Sequence, residues 1–272
     1  MSFSVDMNQD KILQVKTELD ALEKTPINGW DTVYPTLFQT LQTSVEQISK
    51  EMGCPPPPLV IRFDLPNLPM IQSLQSYQAS AFMLNNGATQ LHLGSNFIRT
   101  FLLAPEAAER PAMEQAFRWS IAHEIGHLSD SLFHTYAKSY SLRAFFDLLT
   151  TTMCIGGAAH LLFPNQFAFF SLPIFLTALL LKALKKGGLI ILHRSLEYRA
   201  DKIALQYPAL EVNPAAAHRA LQLMTIHIKH RIERDKGSNL LHKLQIFYYK
   251  INSFLLHPSI EKRMHQMKKG SK

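Results

Sequence analysis

The chain has 272 residues, 47% of them hydrophobic and only 18% charged, and Lys plus Arg outnumber Asp plus Glu by 28 to 21, a net charge of +7. That length suits one large domain or a catalytic domain with an appendage, and the low charged fraction points to a large buried or lipid-facing surface. The only two cysteines, Cys54 and Cys154, stand outside any CxxC or Cys/His cluster, which argues against a disulfide framework or a cysteine-based metal site.

The start, MSFSVDMNQDKILQVK, has no long apolar run behind a basic segment, so it does not read as a signal peptide. Residues 8–24 carry Ile12, Val15, Leu19 and Leu22 at helical spacing, and 31–51 carry Leu37, Leu41, Val45 and Ile48. Both read as amphipathic helices packed on a core. Pro55 to Pro58 make a rigid break. Three β-rich segments follow at 59–65, 78–84 and 89–95, with Asn85-Asn86-Gly87 as the turn between the last two. Residues 105–130 read as a helix with Pro105 near its start and Glu106 and Glu109 in its early turns.

Next comes an apolar block. Residues 144–163 contain one charge, Asp147, and 167–181 contain none, with a turn at 164–166. Lys138 and Arg143 precede the block, and Lys182, Lys185 and Lys186 close it. Twenty helical residues span ~30 Å, about one bilayer core. The cations at both outer ends suit a membrane hairpin with both ends in the cytoplasm. No nucleic-acid motif accompanies the basic excess, so a membrane is the expected partner and nucleic acid is not. A buried helical pair in a soluble protein is the alternative. Further helices are expected at 194–206, 215–235 and 239–256.

The chemistry centres on HEIGH, residues 123–127. On a helix, i and i+4 share one face about 6 Å apart, so His123 and His127 can offer two ring nitrogens to one metal ion. Glu124, one step round, can reach a water on that ion, which is what a zinc hydrolase needs. Glycine inside a helix costs about 1 kcal/mol relative to alanine, so Gly126 suggests a close neighbour or substrate. Zinc requires a third protein ligand. The run HRSLEYRADKIAL (193–205) supplies Glu197, with Asp201 one turn on to accept the free N–H of a ligand histidine. His193 and Tyr198 lie near this ligand and read chiefly as packing residues.

HEIGH, an apolar block and EYRAD, in that order, resemble the membrane zinc metallopeptidases of the heat-shock protease HtpX and CAAX prenyl-endopeptidase type. These gluzincins carry HExxH and a downstream ExxxD on separate helices, and here about 70 residues separate His127 from Glu197. HPSIEKRM (257–264) resembles the late His-Pro motif and arginine of that family. The resemblance implies that His257 donates to the oxyanion on the substrate carbonyl and that Arg263 pairs with Asp201. SAFML…ATQLHLGSNFI resembles the family's active-site edge strands, so Ser80, Ala81 and Phe82 are expected at the substrate. The family often has Asn where Ser80 stands, which leaves only the backbone role there. The N-terminus departs too, with amphipathic helices in place of membrane spans.

The expected protein is α+β and predominantly helical, a zincin-like catalytic domain with a small β-sheet and an inserted apolar helical hairpin. The segments are 1–54 (N-terminal helices), 55–143 (sheet and HExxH helix), 144–192 (hairpin) and 193–272 (ExxxD helix and C-terminal helices). The expected activity is zinc-dependent endopeptidase, with Zn2+ on His123, His127 and Glu197, and Glu124 as base. The expected location is a membrane, with the catalytic domain facing the cytoplasm and a protein or peptide as substrate. An inactive zinc-site binding protein and a soluble zinc peptidase with a buried hairpin are the alternatives.

Overall fold

The computed structural model describes residues 8–25, 29–63, 75–84, 86–103, 106, 108–138, 140–162, 168–234, 247 and 257–270. Helices dominate them. In chain order the elements are α1 (Gln9–Lys24), α2 (Trp30–Val33), α3 (Pro35–Glu51), β1 (Leu59–Arg62), β2 (Ala79–Met83), β3 (Thr89–Gly94), α4 (Ser95–Ile98), α5 (Arg110–Ser129), α6 (Ser131–Lys138), α7 (Tyr140–Leu162), α8 (Ala168–Leu205), α9 (Pro214–Arg234) and α10 (Ile260–Gly270).

The two N-terminal stripes meet their expected partners. Val15, Leu19 and Leu22 of α1 and Leu37, Leu41, Val45 and Ile48 of α3 are buried in one core. Asn8 caps α1 by accepting the Lys11 N–H at 2.8 Å. Glu18 of α1 accepts the Leu37 N–H at 2.6 Å, satisfying an otherwise unpaired donor in the first turn of α3. The expected helix 31–51 is split at Tyr34, because Pro35 lacks an N–H and starts a new helix.

The sheet has strand order β1-β3-β2, with β1 parallel and β2 antiparallel to β3. Ile61, Ala79, Leu91 and Leu93 face the core. The opposite face carries a polar chain. Arg62 donates to His92 Nδ1 at 3.0 Å, His92 Nε2 meets Gln90 Oε1 at 3.1 Å, and Phe82 stacks on the imidazole at 4.1 Å. Gly94 ends β3 against the turn at Gln75–Tyr77, where a Cβ would sit 2.0 Å from the Ser76 carbonyl oxygen. Only glycine fits there.

α5 is buried nearly all round, from Met113 to His127. It packs against β2, α3, α8 and α9. It begins at Arg110, later than the expected 105, because Pro111 can occupy only the first turn. The expected helix 194–206 is not separate. α8 runs without a break for 38 residues, ~57 Å at the helical rise, from the second arm of the apolar block through Glu197 and Asp201. The expected boundary between 192 and 193 therefore falls inside one helix. The expected helix 239–256 lies outside the described residues, save Phe247.

α7 packs on α8, and Lys185 of α8 bridges to Asp147 of α7 at 2.6 Å. Most of the exposed large hydrophobics among the described residues sit on this pair, including Leu148, Ile155, Leu184 and Ile191. The expected transmembrane span is not found. No helix among the described residues is long and apolar enough to cross a membrane. Asp147 interrupts the apolar run of α7, and Lys182, Lys185 and Lys186 close that of α8.

Two outcomes follow from the sheet. Gly94→Ala sets a side-chain carbon against backbone that cannot swing away, and it should cost about 2 kcal/mol or more in chemical denaturation. Burial, with the Arg62 charge beside it, lowers the His92 pKa from 6.5 to about 4. The unfolded chain therefore takes up a proton that the folded one refuses, and stability falls as pH drops from about 6.5 toward 4. His92→Gln should lose less Tm between pH 7 and pH 5 than the wild type.

Candidate active site

Two helices build the centre. α5 presents His123 and His127 one turn apart, and α8 presents Glu197 and Asp201 one turn apart. The helices approach closely because Gly126 has no side chain. A Cβ there would lie 3.3 Å from the Ala200 carbonyl oxygen and 3.4 Å from the Ala200 Cα. The glycine inside HEIGH thus makes room for the neighbouring helix, one of the two roles its position suggested.

One donor atom each from His123, His127 and Glu197 lies within 4.8 Å of the other two. His123 Nε2 is 3.5 Å from Glu197 Oε2, and His127 Nε2 is 3.8 Å from Glu197 Oε1. All three residues are buried. On the far side of His123, Nδ1 meets Asp201 Oδ1 at 3.0 Å. That bond leaves Nε2 free to face the other donors. The His127 ring is buried with no hydrogen bond to either nitrogen among the described residues. Two imidazoles and one carboxylate converging in this way, with one ring otherwise unspent, are a donor set that fits a divalent metal such as zinc.

α10 closes the centre from behind. Arg263 donates through Nε and Nη2 to both oxygens of Asp201 and lies 3.0 Å from Glu197 Oε2 through Nη1. His257, three residues before α10, places Nδ1 3.2 Å from Glu197 Oε1. Glu124 lines the same cleft as the His pair. Its Oε2 accepts the Ala81 N–H of β2 at 2.7 Å.

The charges follow from this packing. Burial raises Glu124 to about 7. Burial opposes charging of His123, but the bonds from Asp201 and Glu197 outweigh it and raise the ring to about 9. Burial lowers His127 to about 4. Burial would raise Glu197, but the Arg263 guanidinium and His257 hold it well below the usual carboxylate range. Asp201 is lowered too, its bonds to His123 and Arg263 overcoming burial.

All of these groups except Asp201 line a cleft of about 970 Å³ bounded by β2, α5, α8, α9 and the segment 257–263. β2 is its edge strand. Backbone bonds to β3 at Gln78 and Leu84 and the outward Ala81 N–H mean that Ala79, Ala81 and Met83 turn their peptide groups away from β3, with the Ala81 N–H taken by Glu124. Among Ser80, Ala81 and Phe82, therefore, only Ala81 turns its backbone outward. Ser80 also lines the cleft, whereas the ring of Phe82 stacks on His92 instead.

Sequence reasoning passed over Asp130 and Arg199. Arg199 Nε and Nη2 grip the buried Asp130 carboxylate at 2.6 and 2.9 Å, and Asp130 Oδ1 accepts the Leu132 N–H. This pair locks the end of α5 to α8 beside the metal ligands and starts α6. Tyr136 of α6 also reaches the cleft, with its hydroxyl 2.6 Å from His193 Nε2. His193, expected as packing, lines the cleft, whereas Tyr198 does not.

The family model of peptidase family M48 matches residues 35–270. The chain belongs to peptidase family M48. That membership indicates a metal-dependent peptidase acting on proteins or peptides, and the His-His-Glu group is where this M48 chain can hold the metal. No curated protein and no solved structure matches the chain. α1 lies outside the matched stretch. It is nonetheless tied to the family fold by Arg99, which binds Asp20 at 2.5 Å and Glu23 at 2.6 Å.

Asp201→Asn keeps the shape but weakens the acceptor that orients His123. Metal affinity should fall roughly 10–100-fold, measured by competition with a chromogenic chelator, while Tm changes little once metal saturates the site.

Proposed function

We propose that this M48 protein is a zinc endopeptidase of the gluzincin kind that cuts extended polypeptide segments close to a membrane. The convergence of His123 and His127 from α5 with Glu197 from α8 carries the reading. Glu124 stands outside this donor set but in the same cleft, with Oε2 accepting the Ala81 N–H of β2.

In this reading His123, His127 and Glu197 hold zinc, which when bound acidifies water and polarises the scissile carbonyl. Glu124 accepts the proton of the attacking water and passes it to the leaving nitrogen. Its pKa of about 7 places it near balance between the two tasks. One water proton reaches the leaving nitrogen through Glu124, and the second, released as the acyl carbon keeps the water oxygen as a carboxylate, completes an ammonium on that nitrogen. Asp201 fixes His123 with Nε2 toward the metal, and Arg263 keeps Asp201 and Glu197 ionised. The cleft wall desolvates His257, but the Glu197 charge outweighs this and raises its pKa, which favours the imidazolium as a donor to the developing oxyanion. The outward peptide groups of Ala79 and Met83, and the outward carbonyl of Ala81, suit a substrate strand added to the sheet edge.

The exposed apolar faces of α7 and α8 support a membrane location, with the catalytic part on the cytoplasmic side as the flanking cations suggest. In that arrangement the pair need not cross the bilayer to be held by it.

Two variants test the chemistry. Glu124→Gln should cut turnover by at least about 10²-fold while binding one zinc per chain, the usual scale for losing a general base. Glu197→Ala should lose both zinc and activity by elemental analysis. A Glu124→Gln protein with wild-type turnover would sink the mechanism.

A further inference from the structure

The cleft carries more positive charge than its chemistry requires. One wall is a face of α9, where Leu221, Met224, Thr225, Ile228 and Lys229 recur at i, i+3, i+4, i+7 and i+8 and all line the cavity. That face is apolar until it ends in the exposed Lys229. Lys262, on the first turn of α10, is exposed at the same cavity. Neither ammonium has an acidic partner among the described residues. Arg194 of α8 adds a third cation to the lining. Against them stands Glu261, the sole acid among the described lining residues besides Glu124 and Glu197. Those two are committed, Glu197 to Arg263 and the donor set, and Glu124 to the Ala81 N–H.

A polypeptide lying along the β2 edge would therefore meet an apolar wall rimmed by two exposed lysines that have no acidic partner among the described residues. The geometry points to a substrate preference: Lys229 and Lys262 select segments that carry Asp or Glu beside apolar residues within a few positions of the scissile bond. This rests on the peptidase reading above. A peptide is favoured over an anionic lipid as the occupant because the two lysines share one cavity with Glu124 and the edge strand. The apolar surface suited to lipid lies instead on α7 and α8. Each exposed charge pair contributes modestly, so two together should give a discrimination of about three- to tenfold, eroded by salt.

The test uses the full chain and two fluorescent peptides of equal length and apolar content, one with Glu and the other with Gln at alternate positions. Affinity is read by anisotropy with the zinc-loaded Glu124→Gln protein at about 0.05 and 0.5 M salt, bracketing strong and weak screening. Cleavage of the same pair is read with the wild type. The Glu peptide should bind about three- to tenfold tighter at low salt and be cut with correspondingly higher kcat/KM, and the preference should shrink at high salt. Adding Lys229→Glu and Lys262→Glu should reverse the ratio, and Lys229→Gln alone should reduce it. Both lysines are exposed, so the fold should tolerate these changes.

Equal affinity for the two peptides overturns the proposal. So does a double variant that keeps the peptide ratio and loses only binding to phosphatidylserine vesicles. Tighter binding of a Glu peptide that the wild type never cleaves supports the cleft preference and removes the peptidase reading. Cleavage of both peptides at one rate does the reverse.

Discussion

Two carboxylates one turn apart on a buried helix face cannot both stay ionised unless a cation faces them. Arg263 meets that constraint. It binds Asp201 through two nitrogens and reaches Glu197 with the third. The rest of the centre depends on this ionisation. Ionised Asp201 fixes the His123 ring, and ionised Glu197 is a competent ligand. The arginine comes from α10, at the far end of the chain from α5. The centre is therefore assembled only when the last helix has docked, and its geometry is a property of the whole fold.

The parts of this site that obey helical periodicity were legible in the sequence. HEIGH and EYRAD each place two polar groups on one helix face, and the structure puts His123, His127 and Glu197 where one ion could join them, with Asp201 behind His123. That the two pairs face each other across about 70 residues followed from no local rule, only from the order of motifs seen in similar proteins. The same order pointed to His257 and Arg263, which the structure brings to Glu197 and Asp201. The Asp130–Arg199 lock was illegible because a pair 69 residues apart leaves no periodic trace, and Arg199 within EYRAD reads as a solvated face. The stack of Phe82 on His92 left no trace in the sequence, because Ser80 and Phe82 share a strand face and only a contact across strands separates them.

The elements themselves show the same division. Amphipathic stripes in α1 and α3 and the turn before β3 were plain, since each is set by neighbours in sequence. The start of α5 was misjudged because Pro105 and Pro111 both qualify for a first helical turn, and the choice between them is made by packing. α8 was divided between 192 and 193 because Lys182, Lys185 and Lys186 close the apolar block and 194–206 reads as a helix of its own, with Gly187 and Gly188 between. A Cβ added at Gly187 or Gly188 meets nothing within 4 Å, so these glycines neither turn the chain nor admit a neighbour. They are simply carried within a helix held elsewhere by its packing on α7 and α5.

The unbroken α8 has a mechanical consequence. Its exposed apolar residues reach Ile191, and Glu197 follows six residues later, ~9 Å along the same helix. A helix transmits position along its axis with little loss, and the Asp130–Arg199 and Gly126–Ala200 contacts fix its far end to α5. If the α7–α8 pair is seated in a lipid surface at its apolar turns, the height of the cleft above that surface is set by helix rise alone. The lysines at 182, 185 and 186 would then sit at the boundary where cations meet lipid phosphates. Substrate choice would be constrained by distance as well as by chemistry. A segment too near the surface could not enter the edge strand, and one far above it would gain nothing from the attachment.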